Sequence, residues 1–309
     1  MARIKKNITQ PLCEVDASCP ICTRKSKQLY LRESSYRIAS RDIDLKPVAE
    51  WVGKRNNECF PTLYDIWQCP NCSYCGSRQV FRQPGLLISS MPLNRFRQLT
   101  LELYQNETYR NLVQLFVESP PEFGLDFFQP VKRYLIAIYH LEQIEQFRTR
   151  DSFILARYCL HLNWLLRDLE RWQMRKITVN YLNRLKPKIN ELWEHAPLDY
   201  AGAAAKALKY YNVFYENSRR DESQETEHQL LQLIGRLDLM LGKPDDAGKI
   251  LRQSMRSAND MYISVRREQN ISGSKTSGLK LIHQLSALET FVKETEQLIA
   301  DIDAASDPA

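Results

Sequence analysis

Cys19-Pro20-Ile21-Cys22 and Cys69-Pro70-Asn71-Cys72 are two copies of one short pattern, in which two thiols flank a proline-containing turn. Two thiolates three positions apart supply half of a tetrahedral shell, and a second pair closes that shell without a water ligand. The sequence therefore predicts one structural zinc ion, bound by Cys19, Cys22, Cys69 and Cys72. The 46 residues between the pairs exceed the insert of a compact zinc ribbon. The cysteine spacing is therefore stronger evidence for a bound metal ion than for the zinc-ribbon fold.

The other cysteines leave alternatives open. Cys13, Cys59 and Cys75 lie near the two pairs, and any of them could replace one of the four ligands, although ordinary thiols are the favoured interpretation of the first two. No histidine precedes His140, so thiolates must supply the shell. The run Cys69–Cys75 also resembles the start of an iron–sulfur motif, but the Cys-Pro step that should follow is absent. Redox-active thiols are the remaining alternative.

Length and composition indicate an ordinary soluble protein with one large domain or two smaller ones. The chain has 309 residues, of which 43% are hydrophobic. No run of 18 apolar residues occurs, and the basic start Met1–Lys6 has no apolar segment behind it, so we expect neither a membrane span nor export. This predicts a cytoplasmic protein, and in a reducing cytosol paired cysteines are more often metal ligands than disulfides.

The net charge of +6 is concentrated near the N-terminus. Residues 1–95 contain 15 basic and 8 acidic side chains, whereas the remainder contains 28 and 29. Arg24, Lys25 and Lys27 follow the first cysteine pair, where they could contact the phosphates of a nucleic acid. Four thiolates around one Zn²⁺ contribute a charge of −2, so the potential of a metal-loaded module is weaker than the count suggests. A solvated surface is the favoured interpretation.

Residues 1–92 are predicted to form a small α+β module of the zinc-ribbon type. Leu29 and Leu31, and later Leu63, Ile66 and Trp67, follow a strand-like pattern that leads into the second cysteine pair. Two polar stretches interrupt this pattern as loops, 41–44 and 56–61. Asp42 and Asp44 in the first loop are interpreted as turn-forming carboxylates rather than as a pair that contacts substrate or supports a metal.

Residues 93–270 are predicted to form an antiparallel helical array of the tetratricopeptide type. Apolar residues recur with a period of 3.6, and about eight helices are expected up to residue 300. Residues 228–261 fit one 34-residue repeat, with small residues at Gly235 and Ala247. A further apolar helix, Leu279–Ala300, is interpreted as a cap or a docking element. Breaks are predicted at Ser119-Pro120-Pro121, Thr149-Arg150-Asp151, Pro187, Pro197, Asn217–His228, Gly242-Lys243-Pro244 and Asn270–Gly278.

These motifs together resemble a bacterial family known as domain of unknown function 2225. The resemblance rests on four segments that have the order and spacing of the family: the first cysteine pair, Arg41-Asp42-Ile43-Asp44, Tyr64-Asp65-Ile66-Trp67, and the second cysteine pair followed by Tyr74. Two later helices, around Ala156–Arg167 and Leu233–Leu237, are also similar to helices of the family. The family usually has glycine where this chain has Ser73. The resemblance implies a zinc-ribbon-like head on tetratricopeptide-like helices, and it implies no activity.

Binding of a protein partner is the predicted function, because helical arrays commonly bind peptides on their concave face. Arg167, Arg171 and Arg175 recur at intervals of four and form one candidate partner-binding stripe, although a solvated face is the simpler interpretation. The histidines are scattered and no phosphate loop or nucleophile motif occurs, so we expect no enzyme. The leading hypothesis is therefore a non-enzymatic zinc-binding adaptor. A zinc-dependent nucleic-acid-binding protein is the second, and an enzyme with an unrecognised site is the third.

Overall fold

The structure is a computed structural model, and it describes residues 11–52, 58–83, 91–117, 128–144, 149–171, 176–218, 227–271 and 275–306. In these segments seven short strands precede ten α-helices. The predicted fold class, mainly α with a small N-terminal module of antiparallel strands, is confirmed. None of the helices within these segments is both long enough and apolar enough to cross a bilayer.

The strands form three small antiparallel sheets. Their bounds are β1 Leu12–Ser18, β2 Lys25–Leu31, β3 Tyr36–Arg41, β4 Pro47–Trp51, β5 Glu58–Cys59, β6 Ile66–Gln68 and β7 Cys75–Ser77. Strand β1 pairs with β2, strands β3, β4 and β5 form a three-stranded sheet, and β6 pairs with β7. Sheets this small have little apolar surface to bury, so their stability requires a further constraint.

The helices follow in chain order. Their bounds are α1 Arg78–Arg82, α2 Leu93–Leu103, α3 Glu107–Val117, α4 Phe128–Gln143, α5 Thr149–Arg171, α6 Lys176–Leu192, α7 Tyr200–Ser218, α8 Glu227–Met240, α9 Pro244–Ile271 and α10 Lys275–Ser306. The predicted breaks at Pro197, Asn217–His228 and Gly242-Lys243-Pro244 coincide with helix ends. The predicted break at Ser119-Pro120-Pro121 lies outside the described residues.

Some details of the structure differ from the sequence-based prediction, and one predicted break agrees with it. Strand pairing starts at Leu12, before the first cysteine pair, because Cys13 and Ala17 are buried while Glu14 and Asp16 are exposed. The break predicted near Thr149-Arg150-Asp151 agrees with the structure, because α4 ends at Gln143 and α5 begins at Thr149. Helix α10 extends beyond Leu279–Ala300 at both ends. Residues from 93 onward form nine described helices rather than eight.

Pro187 lies inside helix α6, although a break was predicted there. An internal proline costs about 3 kcal/mol because it removes one backbone hydrogen bond and crowds the preceding turn. Leu182 and Ile189, seven positions apart and therefore on one face, are almost completely buried on either side of it. Their burial offsets this cost, and the helix continues to Leu192.

The chain divides into two compact units. Unit 1 comprises residues 11–42 and 46–207 of the described chain, and unit 2 comprises residues 43–45 and 208–306. In unit 1, helix α4 packs against α5 and against the β6–β7 hairpin. The domain limits expected from the sequence, 1–92, 93–270 and 279–300, stay predictions.

In unit 2, helices α8 and α9 pack closely along the repeat expected at residues 228–261. A Cβ atom at Gly235 would lie 2.7 Å from the Leu251 side chain and 3.4 Å from the Ala247 carbonyl oxygen. Gly235 therefore lies at the contact between the two helices, as the repeat pattern predicts. The tetratricopeptide-like character of the whole array stays a prediction.

Candidate metal centre

Each cysteine pair lies in the turn of a β-hairpin, and we call these turns the first knuckle (19–24) and the second knuckle (69–74). In the first, the Cys19 amide donates to the Arg24 carbonyl and the Thr23 amide donates to the Cys19 carbonyl, both at 3.0 Å. In the second, Cys69 and Ser73 donate in the same way at 2.9 Å. The two turns therefore have the same hydrogen-bond pattern, although they lie far apart in sequence.

The fifth residue of each knuckle, two positions before the return strand, has a left-handed backbone. The φ angle is +62° at Thr23 and +58° at Ser73. Glycine adopts this region without strain, whereas a residue with a Cβ atom does so at a cost. Ser73 replaces the glycine usual in the family, yet the turn keeps its tight geometry.

The four predicted thiols converge. The Sγ atoms of Cys19, Cys22, Cys69 and Cys72 all lie within 4.8 Å of one another, and the described residues form this one group able to hold a metal ion. The shortest separations cross between the knuckles, 3.6 Å from Cys19 to Cys72 and 3.5 Å from Cys22 to Cys69. Cys19 and Cys69 are buried and the other two are partly exposed. The arrangement could hold a metal ion.

The thiols also share protons across the cluster. The hydrogen bond with Cys19 lowers the pKa of Cys72, and the same contact together with burial raises the pKa of Cys19. The Ile21 amide donates to the Cys19 sulfur at 3.4 Å. One thiol thus stabilises the thiolate of its neighbour, and a cation would stabilise all four as thiolates.

Cys13, Cys59 and Cys75 lie outside this group. Cys13 accepts a hydrogen bond from the Arg32 Nε atom, and burial raises the pKa of Cys59 to about 11. Burial raises the pKa of Cys75 still further. The structure therefore favours the original four ligands over a set that includes one of the three nearby thiols.

Side chains from both hairpins hold the knuckles next to each other. The Gln28 amide nitrogen on β2 donates to the Gln68 carbonyl at 2.9 Å, and the Trp67 indole on β6 donates to the Leu29 carbonyl at 2.8 Å. These bonds run in opposite directions between the same two strands. They contribute to the alignment of the two cysteine pairs.

Helices of unit 1 contact both hairpins. The Arg97 Nε atom on α2 donates to the Pro20 carbonyl of the first knuckle at 2.6 Å. The Ser77 amide, at the end of the second hairpin, donates to the Tyr158 hydroxyl on α5 at 3.0 Å. The amino-acid sequence gives no sign of these contacts, because a single arginine or tyrosine on an amphipathic helix has no distinguishing local signal.

A buried histidine lies beside the second knuckle. Tyr109 and Thr100 occupy the two ring nitrogens of His140, with oxygens at 2.9 Å from Nδ1 and 3.2 Å from Nε2. The ring of Tyr74, a knuckle residue, lies 5.3 Å from the imidazole, centroid to centroid. Burial lowers the pKa of His140 to about 3, so the ring is neutral near pH 7.

The predicted arginine stripe is described only in part. Arg167 on α5 forms an ion pair with Asp42, and its side chain is 13% exposed. Arg171 is the last residue of α5, and Arg175 lies outside the described residues. Next to Arg167, Asp168 pairs with Lys46, and both side chains are buried. The stripe stays a prediction, and its first member binds a carboxylate of its own unit.

In unit 2, Arg236 holds the loop that contains Asp44. The Arg236 Nη1 atom donates to the Ile43 carbonyl at 3.0 Å, and Asp44 is completely buried. Burial lowers the pKa of Arg236, and the charges of Glu294 and Asp44 oppose that shift. Asp42 and Asp44 are thus both engaged within the protein, which agrees with a structural interpretation of this loop.

Unit 2 also has a cavity of about 410 Å³ between helices α8, α9 and α10. Its floor includes the buried residues His228 and Leu288, and Phe291 packs edge-to-face on the His228 ring at 4.7 Å. Polar residues also line it, among them Gln229, Ser264, Glu268 and Gln284. This volume falls in the range of ligand-binding pockets.

Comparison with protein-family models matches residues 12–272 to a family described as "Uncharacterized protein conserved in bacteria (DUF2225)". The match includes both knuckles, the loop at 41–44 and the helices through α9, and it confirms the resemblance found in the sequence. No curated protein and no solved structure matches the chain.

Proposed function

This chain belongs to the bacterial domain of unknown function 2225 family, and we propose that it is a non-enzymatic adaptor with one structural zinc ion, whose helices bind a protein partner. The convergence of four cysteine thiols between two hairpin turns carries the proposal. Four protein ligands complete a tetrahedral shell and leave no position for a water or a substrate, which is typical of structural rather than catalytic metal sites.

Sulfur spacing supports a single ion. At a zinc–sulfur distance of about 2.3 Å, a tetrahedral shell separates its sulfurs by about 3.8 Å. The cross-knuckle separations of 3.5 and 3.6 Å and the upper limit of 4.8 Å are close to that value. A multi-iron cluster would separate the cysteine sulfurs by larger distances, because several iron atoms lie between them. Zinc is the usual ion in closed shells of this type.

Metal analysis of the purified full-length chain tests the identity of the ion. We expect about one equivalent of zinc per chain and no absorption in the visible range. One equivalent of iron with a visible charge-transfer band would show that the same four-cysteine site holds iron instead of zinc. A chain without metal that gains none on incubation with zinc would overturn the proposal.

The cavity of unit 2 supports the second half of the proposal. It combines an apolar floor with polar groups at its rim, and α8, α9 and α10 each contribute residues. A partner segment would place an apolar side chain on this floor and satisfy its own polar groups at the rim. Binding of a partner in this way does not require a catalytic nucleophile or a metal ion with an open coordination position.

Two substitutions on one helix test whether the helices bind the partner there. Val265→Arg would fill the cavity with a charged side chain, whereas Ile263→Arg changes a neighbouring residue of α9 that is 47% exposed and does not line the cavity. Affinity capture from the native bacterium after nuclease treatment should recover a stoichiometric partner, and the purified pair should then bind. We expect Val265→Arg to abolish this binding and Ile263→Arg to retain it. Recovery of nucleic acid alone would favour the second hypothesis and overturn the adaptor.

A further inference from the structure

The cavity of unit 2 lies where helices α9 and α10 extend past the start of α8. At that start, the Ser254 hydroxyl donates to the His228 carbonyl at 2.7 Å, and the His228 ring lies 4.7 Å from the ring of Phe291. Helix α9 continues from this point to Ile271, and α10 already begins at Lys275. The two helices therefore form a groove past the start of α8, and the cavity occupies it.

Each of these two helices lines the groove with one face. The lining residues recur at i, i+3, i+4 and i+7 on both helices. On α9 they are Met261, Ser264, Val265 and Glu268. On α10 they are Gln284, Ala287, Leu288 and Phe291. Residues at this spacing share one side of a helix, and two such faces side by side form a groove into which a third helix packs. The groove therefore has the geometry of a binding site for a helix.

Helix α8 shows how a helix packs on the adjacent turns. It lies along α9, with Gly235 against Leu251, and the Gln232 amide nitrogen donates to the Thr295 hydroxyl of α10 at 2.9 Å. Helix α8 thus contacts both of the helices that form the groove. A helix bound in the groove would make the same kind of contact with the turns that α8 does not reach.

The two ends of the groove differ in chemistry. Next to α8 it is lined by the apolar side chains of Met261, Leu288 and Phe291. Two turns further from α8, about 10 Å along each helix, are Glu268 on α9 and Gln284 on α10. Glu268 is exposed, and the described lining residues include no lysine or arginine. The complement of this groove is an apolar helix face that ends in a positive charge.

We propose that the groove binds an amphipathic helix of the protein partner, which places two apolar residues, one turn apart, against Met261, Leu288 and Phe291. A lysine or arginine one turn further along the same face pairs with Glu268. This inference rests on the proposed function, because it names the segment that the partner contributes. Helices that bind in grooves are commonly recognised through anchors at this spacing. The apolar residues supply most of the affinity, and the ion pair supplies specificity.

Peptide selection on the full-length chain tests the chemistry of the bound helix. The probe is a displayed library of helix-forming peptides of about four turns, in which the residues of one face are randomised. We expect the enriched peptides to share two apolar residues one turn apart and a lysine or arginine one turn further, and to lose binding to Val265→Arg. Enriched peptides with an acidic or uncharged residue at that position, or with equal binding to Val265→Arg, would overturn the inference.

Charge reversal at Glu268 tests the ion pair with one synthetic peptide from the enriched set. Glu268→Gln should weaken its binding about 3-fold in fluorescence anisotropy, as expected for an exposed ion pair. Asp260→Asn is the matched control, because Asp260 is an exposed carboxylate of α9 that does not line the cavity. Glu268→Lys should prefer a second peptide in which glutamate replaces the basic residue. Equal affinity of Glu268→Lys for the two peptides would contradict the pairing.

The failure of this inference is distinguishable from the failure of the proposed function. A captured protein partner that binds the wild type and not Val265→Arg, while the library yields no enriched peptide, would overturn the inference and leave the proposed function standing. The same holds for a captured partner whose binding is equal in the wild type and Glu268→Lys. A chain that enriches no peptide and captures no protein partner would overturn both.

Discussion

The two knuckle hairpins and the helix pair α8–α9 contrast in what stabilises them. Strands β6 and β7 have three residues each, and the hairpins converge through sulfur atoms and a few side-chain hydrogen bonds. Helices α8 and α9 have 14 and 28 residues and bury Leu231, Ile234, Leu237 and Leu251 almost completely. If the cluster holds the proposed metal ion, the first region depends on ligation, whereas the second depends on buried apolar area and on the missing side chain of Gly235.

This contrast predicts how each region responds to a change of conditions. Where ligation supplies the stability, chelators and acid unfold the region, because metal binding and folding are one equilibrium. Where packing supplies it, changes in side-chain volume matter and metal does not. Four experiments on the full-length chain separate these cases, in order of decreasing effect.

Cys72→Ser should have the largest effect, because it removes one ligand from the shell. We expect the loss of about one equivalent of metal and of the protection of the hairpin amides against hydrogen exchange, since the free energy of structural zinc binding is on the order of 10 kcal/mol. Cys59→Ala is the control, because Cys59 packs with Leu31 and Ala49 away from the cluster. Retention of metal by Cys72→Ser would contradict the four-ligand site.

Acid should destabilise the helices next to the second knuckle through His140. Its pKa is about 3 in the folded chain and about 6.5 when unfolded, so between these values the unfolded chain binds more protons. The free energy of unfolding therefore falls as pH decreases through this window, by about 2 kcal/mol from pH 7 to pH 5. Below pH 3 this contribution no longer changes.

Urea unfolding of the wild type and of His140→Gln at both pH values measures this contribution. The difference between the two chains isolates the histidine, because the cysteine ligands are the same in both. We expect the wild type to lose more stability than His140→Gln on acidification. An equal loss in the two chains would show that the imidazole is not buried and neutral.

Gly235→Ala should destabilise the α8–α9 pair, because the new Cβ atom would overlap Leu251 at 2.7 Å. We expect a loss of about 1–2 kcal/mol, measured by thermal unfolding with and without chelator. Gly248→Ala in α9 is the matched control, since its Cβ would lie closest to the flexible end of Arg252 at 3.1 Å, with Ile302 at an ordinary 3.9 Å, and alanine favours the helix. A loss of stability in Gly235→Ala together with a gain in Gly248→Ala would support close packing of the two helices at Gly235. A change of the same sign in both variants would contradict it.

Ser73→Gly should have the smallest effect, a stabilisation of about 1 kcal/mol in the metal-loaded chain. The left-handed φ angle of +58° strains a residue with a Cβ atom. Gly242→Ala is the converse, because glycine has φ +74° there and alanine introduces the same strain. If Ser73→Gly destabilised the chain, the serine side chain would have a role beyond the turn.

The sequence predicted the features that depend on local spacing. Cys-x-x-Cys in two copies predicted the four thiols that converge in the structure, because three-residue spacing in a turn directs two sulfurs to one point. Gly235 and Ala247 identified the close helix pair for a similar reason. The helix through Pro187 and the start of β1 were missed, because burial by residues distant in sequence outweighs the local signal.

The environment of the metal centre was not predictable in the same way. Arg97 reaches the first knuckle from a helix that begins more than 20 residues after Cys72, and His140 comes from α4. No spacing rule connects them to the cysteines, since the tertiary fold alone brings them there. The same holds for Arg167, whose periodicity predicts a stripe but gives no sign of Asp42 as its partner.

Each knuckle completes its own turn with two backbone hydrogen bonds, and neither bond involves the long segment between the turns. The backbone hydrogen bonds that close each turn therefore do not depend on the polypeptide between the turns. A chain cut between them would become two fragments, each with two thiols in position to chelate a cation. The cation would then link the two fragments, and their reassembly would depend on the concentration of free metal.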